Sequence, residues 1–230
     1  MLSAAQISRR SLSDLMARMR SKRNIPARME KCHERWFDAP MLNRGRWREA
    51  CGFPEDVPIW LEIGCGKGKF CTEMALRHPE VLYIAMEREA SVTLAAVEKA
   101  HELEIPNLFF IRGDAGIIEN YFAEDEVDRI FLNFSDPWTR QNKPKRRLTY
   151  RDFLNKYKVM MKQGGAIEFK TDNDDLFDFS LGEFTETGFT LEDVTRDLHN
   201  SEWDKDNIRT EFEQKFADQG IPIKRVVARM

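Results

Sequence analysis

From residue 58 onward the chain alternates between compact apolar runs and helix-like stretches. The runs, bounded by Gly or Pro, fall at 58–63, 81–86, 107–112, 127–134 and 165–170, with helix-like segments at 67–77, 89–103, 115–121, 150–161 and 174–187. Strands apolar on both faces, each followed by a helix, predict a parallel sheet covered on both sides. Two further strand-like stretches, 189–194 and 222–228, end the chain and suit antiparallel pairing. Residues 1–50 have no β-like runs and are broken at Pro26 and Pro40. There Leu12, Leu15, Met16 and Met19 recur at helical spacing, which leaves a short amphipathic helix and an unfolded tail both open. The expected division is a basic extension over 1–50, in contact with a polyanion or partly disordered, and an α/β domain over 51–230.

Composition narrows the class. With 230 residues, 42% hydrophobic and 33% charged, the chain suits one packed domain. No run reaches the roughly 18 apolar residues that a membrane helix needs, and no signal peptide is legible, so a cytoplasmic protein without membrane contact is expected. The four cysteines form no C-x-x-C pair and lie near no histidine cluster. They read as buried thiols, and no metal is expected. Net charge is −3, unevenly spread: nine Lys/Arg against three Asp/Glu up to residue 35 leave that segment at +6 and the remainder at −9. Within the acidic remainder, Arg140, Lys143, Lys145, Arg146 and Arg147 place five cations in eight residues. Such a local patch fits contact with a polyanion.

Trp60-Leu61-Glu62-Ile63-Gly64-Cys65-Gly66-Lys67-Gly68 runs from a strand into a glycine turn and a helix start. Glycines there let the backbone pass close to a ligand at the C-terminal edge of the sheet. The spacing is G-x-G-x-G, whereas a dinucleotide site wants G-x-G-x-x-G and a P-loop ends in G-K-[ST]. A short glycine turn preceded by an acid suits S-adenosyl-L-methionine, which has no phosphates to cradle. Glu87 ends the second strand, nineteen positions after Gly68, where a carboxylate can accept from both ribose hydroxyls. Asp114 follows the third strand, where a side-chain acceptor can take the adenine amino group. Singly each acid reads as a cap or loop charge. Together they share one edge of the sheet.

The run over 131–147, Phe-Leu-Asn-Phe-Ser-Asp-Pro-Trp-Thr-Arg-Gln-Asn-Lys-Pro-Lys-Arg-Arg, leads from a strand to an acid, a tryptophan and the cations. Asp136 and Trp138 suit a flat polar ring such as a nucleobase, and the cations suit the phosphates carrying it. Trp138 has two readings, stacking on the base or anchoring the loop in the core.

On these residues the chain resembles the bacterial tRNA (guanine-N7-)-methyltransferases of the TrmB type. The resemblance runs from about residue 58 to the C-terminus. It rests on L-E-I-G-C-G-K-G, Met86-Glu87, Gly113-Asp114-Ala115, N-F-S-D-P-W with its basic tail, F-K-T-D-N (169–173) and Thr210-Glu211-Phe212-Glu213. It implies a Rossmann-like class I adenosylmethionine-dependent methyltransferase fold: a mainly parallel seven-stranded sheet with an antiparallel C-terminal strand. It implies a cofactor site of Glu62, Gly64, Gly66, Glu87, Asp114 and Asp136, with Asp136 as the catalytic acid. It also implies that Arg140, Asp172 and Thr210, Glu211, Phe212 and Glu213 contact the substrate. Asn142, Lys143, Pro144, Lys145, Arg146 and Arg147 would contact the RNA. The implied target is tRNA, at the variable-loop guanine of position 46, and the implied state is a monomer or homodimer. The chain departs from the family where Thr139 and Arg140 replace proline then lysine, and where Asn142 and Pro144 replace histidines.

Guanine N7 carries an in-plane lone pair and no proton, so its methylation needs no general base. Positive charge leaves sulfur and spreads over the purine, so a carboxylate beside the guanine favours the transition state. Asp136 is therefore expected to face the guanine, accepting from N1–H and the amino group, and Glu62 to lie on the cofactor side. Three rivals stand on the residues. One is an amino methylase, whose D/N-P-P-Y loop resembles Ser135–Trp138, another an RNA-binding module with a degenerate cofactor site, and the third, disfavoured by the glycine spacing, a dehydrogenase.

Overall fold

The computed structural model describes residues 24–139 and 143–230. The helix considered over 12–19, and Arg140 and Asn142, lie outside the described residues. Eight strands form one sheet: β1 (Trp36–Phe37), β2 (Ile59–Ile63), β3 (Leu82–Glu87), β4 (Leu108–Arg112), β5 (Val127–Asn133), β6 (Met161–Thr171), β7 (Thr190–Thr195) and β8 (Lys224–Arg229). Their order is β1-β4-β3-β2-β5-β6-β8-β7. Pairs from β1 through β6 are parallel, and β8 runs antiparallel between β6 and β7. The chain order reverses between β2 and β5, the place where open α/β sheets bind ligands beyond their strand ends.

The α-helices are α1 (Ile25–Glu30), α2 (Trp47–Cys51), α3 (Lys69–Arg77), α4 (Ala90–Glu102), α5 (Arg151–Met160), α6 (Asp174–Glu186) and α7 (Glu211–Ala217). The apolar continuity of the central strands reflects burial on both faces. In β3, Leu82, Ile84 and Met86 pack into one layer with Leu61, Ile130 and Phe169, while Tyr83 and Ala85 enter the other with Leu94, Val97 and Phe110. Cys32, Cys65 and Cys71 are free and buried in that second layer.

The sheet has one strand more than expected. Trp36–Phe37 adds an edge strand parallel to β4, within a segment that shows no β-like run because two residues are too few for alternation to register. From Asn24 on, the segment assigned to the extension lies against the domain. Trp47 is fully buried, donates from its indole nitrogen to the Tyr121 carbonyl at 2.8 Å, and packs against Phe122 with the rings tilted by 31°. Glu126 accepts from the backbone amides of Gly45, Trp47 and Ala123, closing that junction. The stretch expected as a helix at 115–121 is a 3₁₀ turn, Ala115–Asn120, kinked at Ile117 and capped by Asp114.

Two local features set the glycine turn in place. Gly64 and Cys65 both donate to the Met86 carbonyl, at 2.8 and 3.1 Å, which folds the turn over the end of β3. Gly68 opens α3 at φ +80°, and a Cβ there would stand 2.5 Å from the Ala96 Cβ of α4. Only glycine permits both that backbone and that approach of the two helices.

Candidate active site

Above the switch point lies an open cavity of about 560 Å³. Gly64 from the glycine turn, Glu87 from β3, Asp114 beyond β4 and Asp136 beyond β5 line it, with Asn133, Ser135, Trp138, Lys145 and Arg146. Four residues named from sequence for the cofactor thus meet in one space. Glu62 and Gly66 stand behind that lining.

Glu62, the penultimate residue of β2, is 2% exposed and accepts from the Asn133 side-chain amide at 2.9 Å. Its second carboxylate oxygen is buried with no protein partner. Burial pushes its pKa up to about 7, opposed by the Asn133 hydrogen bond and the Lys170 charge, with Glu87 adding to the rise. Glu87 binds its own neighbourhood: one oxygen accepts from Gly66 N–H at 3.2 Å, the other from Arg88 and Glu89 at 2.8 and 3.1 Å. It locks the glycine turn to the β3–α4 corner. Asp114 caps the 3₁₀ turn through the Gly116 amide at 2.8 Å.

This lining fits S-adenosylmethionine. Gly64 and Gly66, at φ +85° and +57°, would each direct a Cβ into open space, so the glycine backbone faces room for a ligand. The orphaned Glu62 oxygen, and the buried unpartnered Ser135 hydroxyl, lack the donors or acceptors that a ligand brings. Three carboxylates gathered at the strand ends suit a cationic, hydroxyl-rich ligand better than a phosphate.

The loop after β5 is held under strain. Phe134 and Trp138 have φ values of 53° and 42°, which for aromatic residues cost about 1–3 kcal/mol each. Surrounding ties over-determine it. Phe134 N–H donates to the Lys170 carbonyl at 2.9 Å, and its ring stacks on Phe216 of α7 at 5.8 Å. Arg147 donates to the Pro137 carbonyl at 2.9 Å and lies over Phe179 at 4.3 Å. Trp138 enters neither the core nor an aromatic stack: it lines the cavity with Arg146 over its ring at 4.9 Å and Lys143 at 5.8 Å. Asp136 is exposed at the rim.

Lys145 and Arg146 flank that rim, both exposed, whereas Arg147, expected with them as an RNA contact, is a half-buried brace of the loop. Lys143 and Pro144 begin the short 3₁₀ turn that presents these cations.

The residues expected on the substrate side are more scattered. Asp172 follows β6 half-buried, its carboxyl pushed up by burial, and its carbonyl accepts from Lys224 at 2.9 Å. Thr210 and Glu213, expected as substrate contacts, form a capping box that starts α7. Glu213 is fully buried and bonded to Lys170, His199 and Asn207. What this stretch turns outward is Glu211 and Phe212, the latter 53% exposed. Sequence reasoning passed over Arg88 and Asn133, which line the cavity. Asn133 lay within the motif but had no partner until the fold set Glu62 beside it.

Comparisons with known proteins agree with this geometry. A family model described as a putative methyltransferase matches residues 56–226. The tRNA (guanine-N(7)-)-methyltransferase of Lachnoclostridium phytofermentans is 47% identical over 208 residues, 90% of this chain and 96% of that protein. Its counterpart from Brevibacillus brevis is 43% identical over the same shares. Among solved structures, an antibiotic-related methyltransferase superposes with a TM-score of 0.59 at 17% identity, covering 75% of this chain and 88% of that one. The fold is that of the class I methyltransferases, and the chain belongs to the tRNA (guanine-N7-)-methyltransferase family.

Proposed function

We propose that this protein methylates N7 of a guanine in tRNA, the variable-loop guanine at position 46. The observation that carries this reading is Asp136 at the rim of the cofactor cavity with Lys145 and Arg146 beside it. A carboxylate for the base and cations for its phosphates thus stand at the mouth of a site suited to a methyl donor.

When bound, S-adenosylmethionine supplies an electrophilic methyl group on a cationic sulfur. The protein's own groups then divide the work. Glu62, Glu87 and Asp114 hold the donor through charge and hydroxyl contacts, and Glu62 ionises to do so. Asp136 accepts from the guanine N1–H and amino group, turning N7 toward the cavity. As the purine gains positive charge, Asp136 stabilises it by up to about 4 kcal/mol at ~4 Å and an effective dielectric of ~20. No side chain takes a proton from N7, since N7 carries none. The strained Phe134–Trp138 turn fixes the carboxylate's position before RNA arrives, and alignment supplies much of the remaining rate. Arg140, Asp172, Glu211 and Phe212 extend the substrate side, with Thr210 and Glu213 shaping it from within. Asn142, Lys143 and Pro144 join the cationic track.

Unmodified tRNA incubated with labelled S-adenosylmethionine tests this reading. The expected product is 7-methylguanosine at a single variable-loop position. A methylated exocyclic amine would transfer the assignment to the amino methylases, and binding without transfer would leave an RNA-binding module. Among the described residues no helix is long and apolar enough to cross a membrane.

A further inference from the structure

Lys170 carries a charge into the interior of β6 at 5% exposure, outside every role described so far. Its ammonium donates to Glu213 at 2.7 Å, to the Ile208 carbonyl at 2.9 Å and to Asn207 at 3.0 Å, and stands 5.0 Å over the Phe70 ring. Glu213 in turn accepts from Asn207 at 2.6 Å, pairs with the His199 ring at 2.9 Å and closes the capping box of α7. At the other end of the same residue, the Lys170 carbonyl receives Phe134 N–H, the first link of the strained turn bearing Asp136. The two attachments meet again where Phe216 of α7 stacks on Phe134.

A buried ion pair of this kind adds little net stability, since apolar residues of equal volume commonly do as well or better. What it does specify is geometry, because every polar atom has one satisfying arrangement. We propose that Lys170 is a positioning residue for methyl transfer. One side chain fixes the start of α7, and α7 braces through Phe216 the backbone turn that aims Asp136. The proposal rests on the tRNA methyltransferase reading above and adds a residue to it.

The test compares the parent with Lys170→Met, with the double variant Lys170→Met/Glu213→Met, and with Phe216→Leu. The single lysine variant leaves Glu213 buried without its cation and is expected to unfold easily. The double variant removes both charges at similar volume. It is expected to fold with a lowered melting temperature, because Asn207, His199 and the Ile208 carbonyl lose a partner, and to keep the parent's S-adenosylmethionine Kd, while single-turnover transfer to tRNA falls about 100-fold, as for a misplacement of about 1 Å. Amide exchange at Phe134 and at 210–213 should quicken together in the cofactor-free protein. A folded double variant that methylates at the parent's rate, or that loses activity and cofactor affinity in step, would overturn the proposal. Should the double variant not fold, Phe216→Leu decides, because it leaves the ion pair intact. A fall of about tenfold in transfer at unchanged cofactor Kd supports the coupling, and parental activity refutes it. A parent that makes no 7-methylguanosine would instead count against the function reading.

Discussion

The two sides of this cavity are built by different means. The side proposed for the cofactor is made of strand ends: Glu62, Glu87 and Asp114 sit within one or two residues of where β2, β3 and β4 stop, and backbone amides fix the latter two. The side proposed for the substrate is made of irregular chain, residues 134–139 and 143–147 and the segment entering α7, held by ties between residues far apart in sequence. Parallel-sheet topology alone delivers the first arrangement. The second depends on particular side-chain ties, so its residues should respond to mutation through geometry more than through affinity.

The largest effect expected is at Asp136. Asp136→Ala should slow methyl transfer by about 10³-fold, the equivalent of about 4 kcal/mol. The S-adenosylmethionine Kd should change little. Cofactor binding abolished with single-turnover chemistry preserved would place Asp136 on the cofactor side and erase the contrast.

Glu62 tests the other side through pH. Its carboxyl is pushed from the ordinary 4.5 to about 7, so below that it is mostly protonated and above it charged. A cationic ligand favours the charged form. Cofactor affinity should therefore rise with pH, becoming about tenfold stronger at pH 8 than at pH 6. Titrations of Glu62→Gln should show a flat profile and weaker binding throughout. The ligand-free protein should behave oppositely. Its unfolded state releases the Glu62 proton first, so stability falls as pH rises from about 4.5 to about 7, the window set by that shift. Thermal melts with and without S-adenosylmethionine should thus diverge more at pH 8. Equal divergence at both values would remove Glu62 from the binding charge.

How much of this was legible beforehand follows the same line. Strand ends could be read because β2 to β5 are buried on both faces, so apolar runs mark where each stops, and the acid at each stop follows directly. The short edge strand Trp36–Phe37 carried no such mark, and Trp47 reveals its role only once Tyr121 and Phe122 lie opposite. On the substrate side, Thr210 and Glu213 have the spacing of a capping box, S/T-x-x-E, as clearly as that of a binding motif. Which use prevails depends on Lys170, 43 residues away from Glu213 in the chain. Arg147 likewise reads as one more cation until Pro137 and Phe179 are found against it.

The basic run sharpens this last distinction. Lys145→Gln/Arg146→Gln should lower tRNA affinity and flatten its salt dependence, by about 0.7–0.9 in slope for each phosphate left without its cation. Arg147→Gln should leave that slope unchanged and slow transfer instead, since it releases the Pro137 carbonyl and loosens the turn. An equal flattening for Arg147→Gln would return that residue to the RNA track.

The smallest effect lies in the capping box. Thr210→Ala removes the acceptor for Glu213 N–H, held at 3.0 Å, and should destabilise the protein by about 1 kcal/mol. Yet Thr210 also borders the residues that Lys170 orders, and stability and catalysis need not fall together. Thr210→Ser retains the cap hydroxyl and should restore both melting temperature and transfer rate. If the alanine variant melts early but transfers at the parent's rate when folded, the cap serves α7 alone. A folded variant that is several-fold slower at unchanged cofactor affinity would mean that fixing the first turn of α7 is itself part of aiming Asp136. The irregular side would then be as rigidly specified as the strand ends opposite, though by ties that connect distant residues and leave no periodic trace.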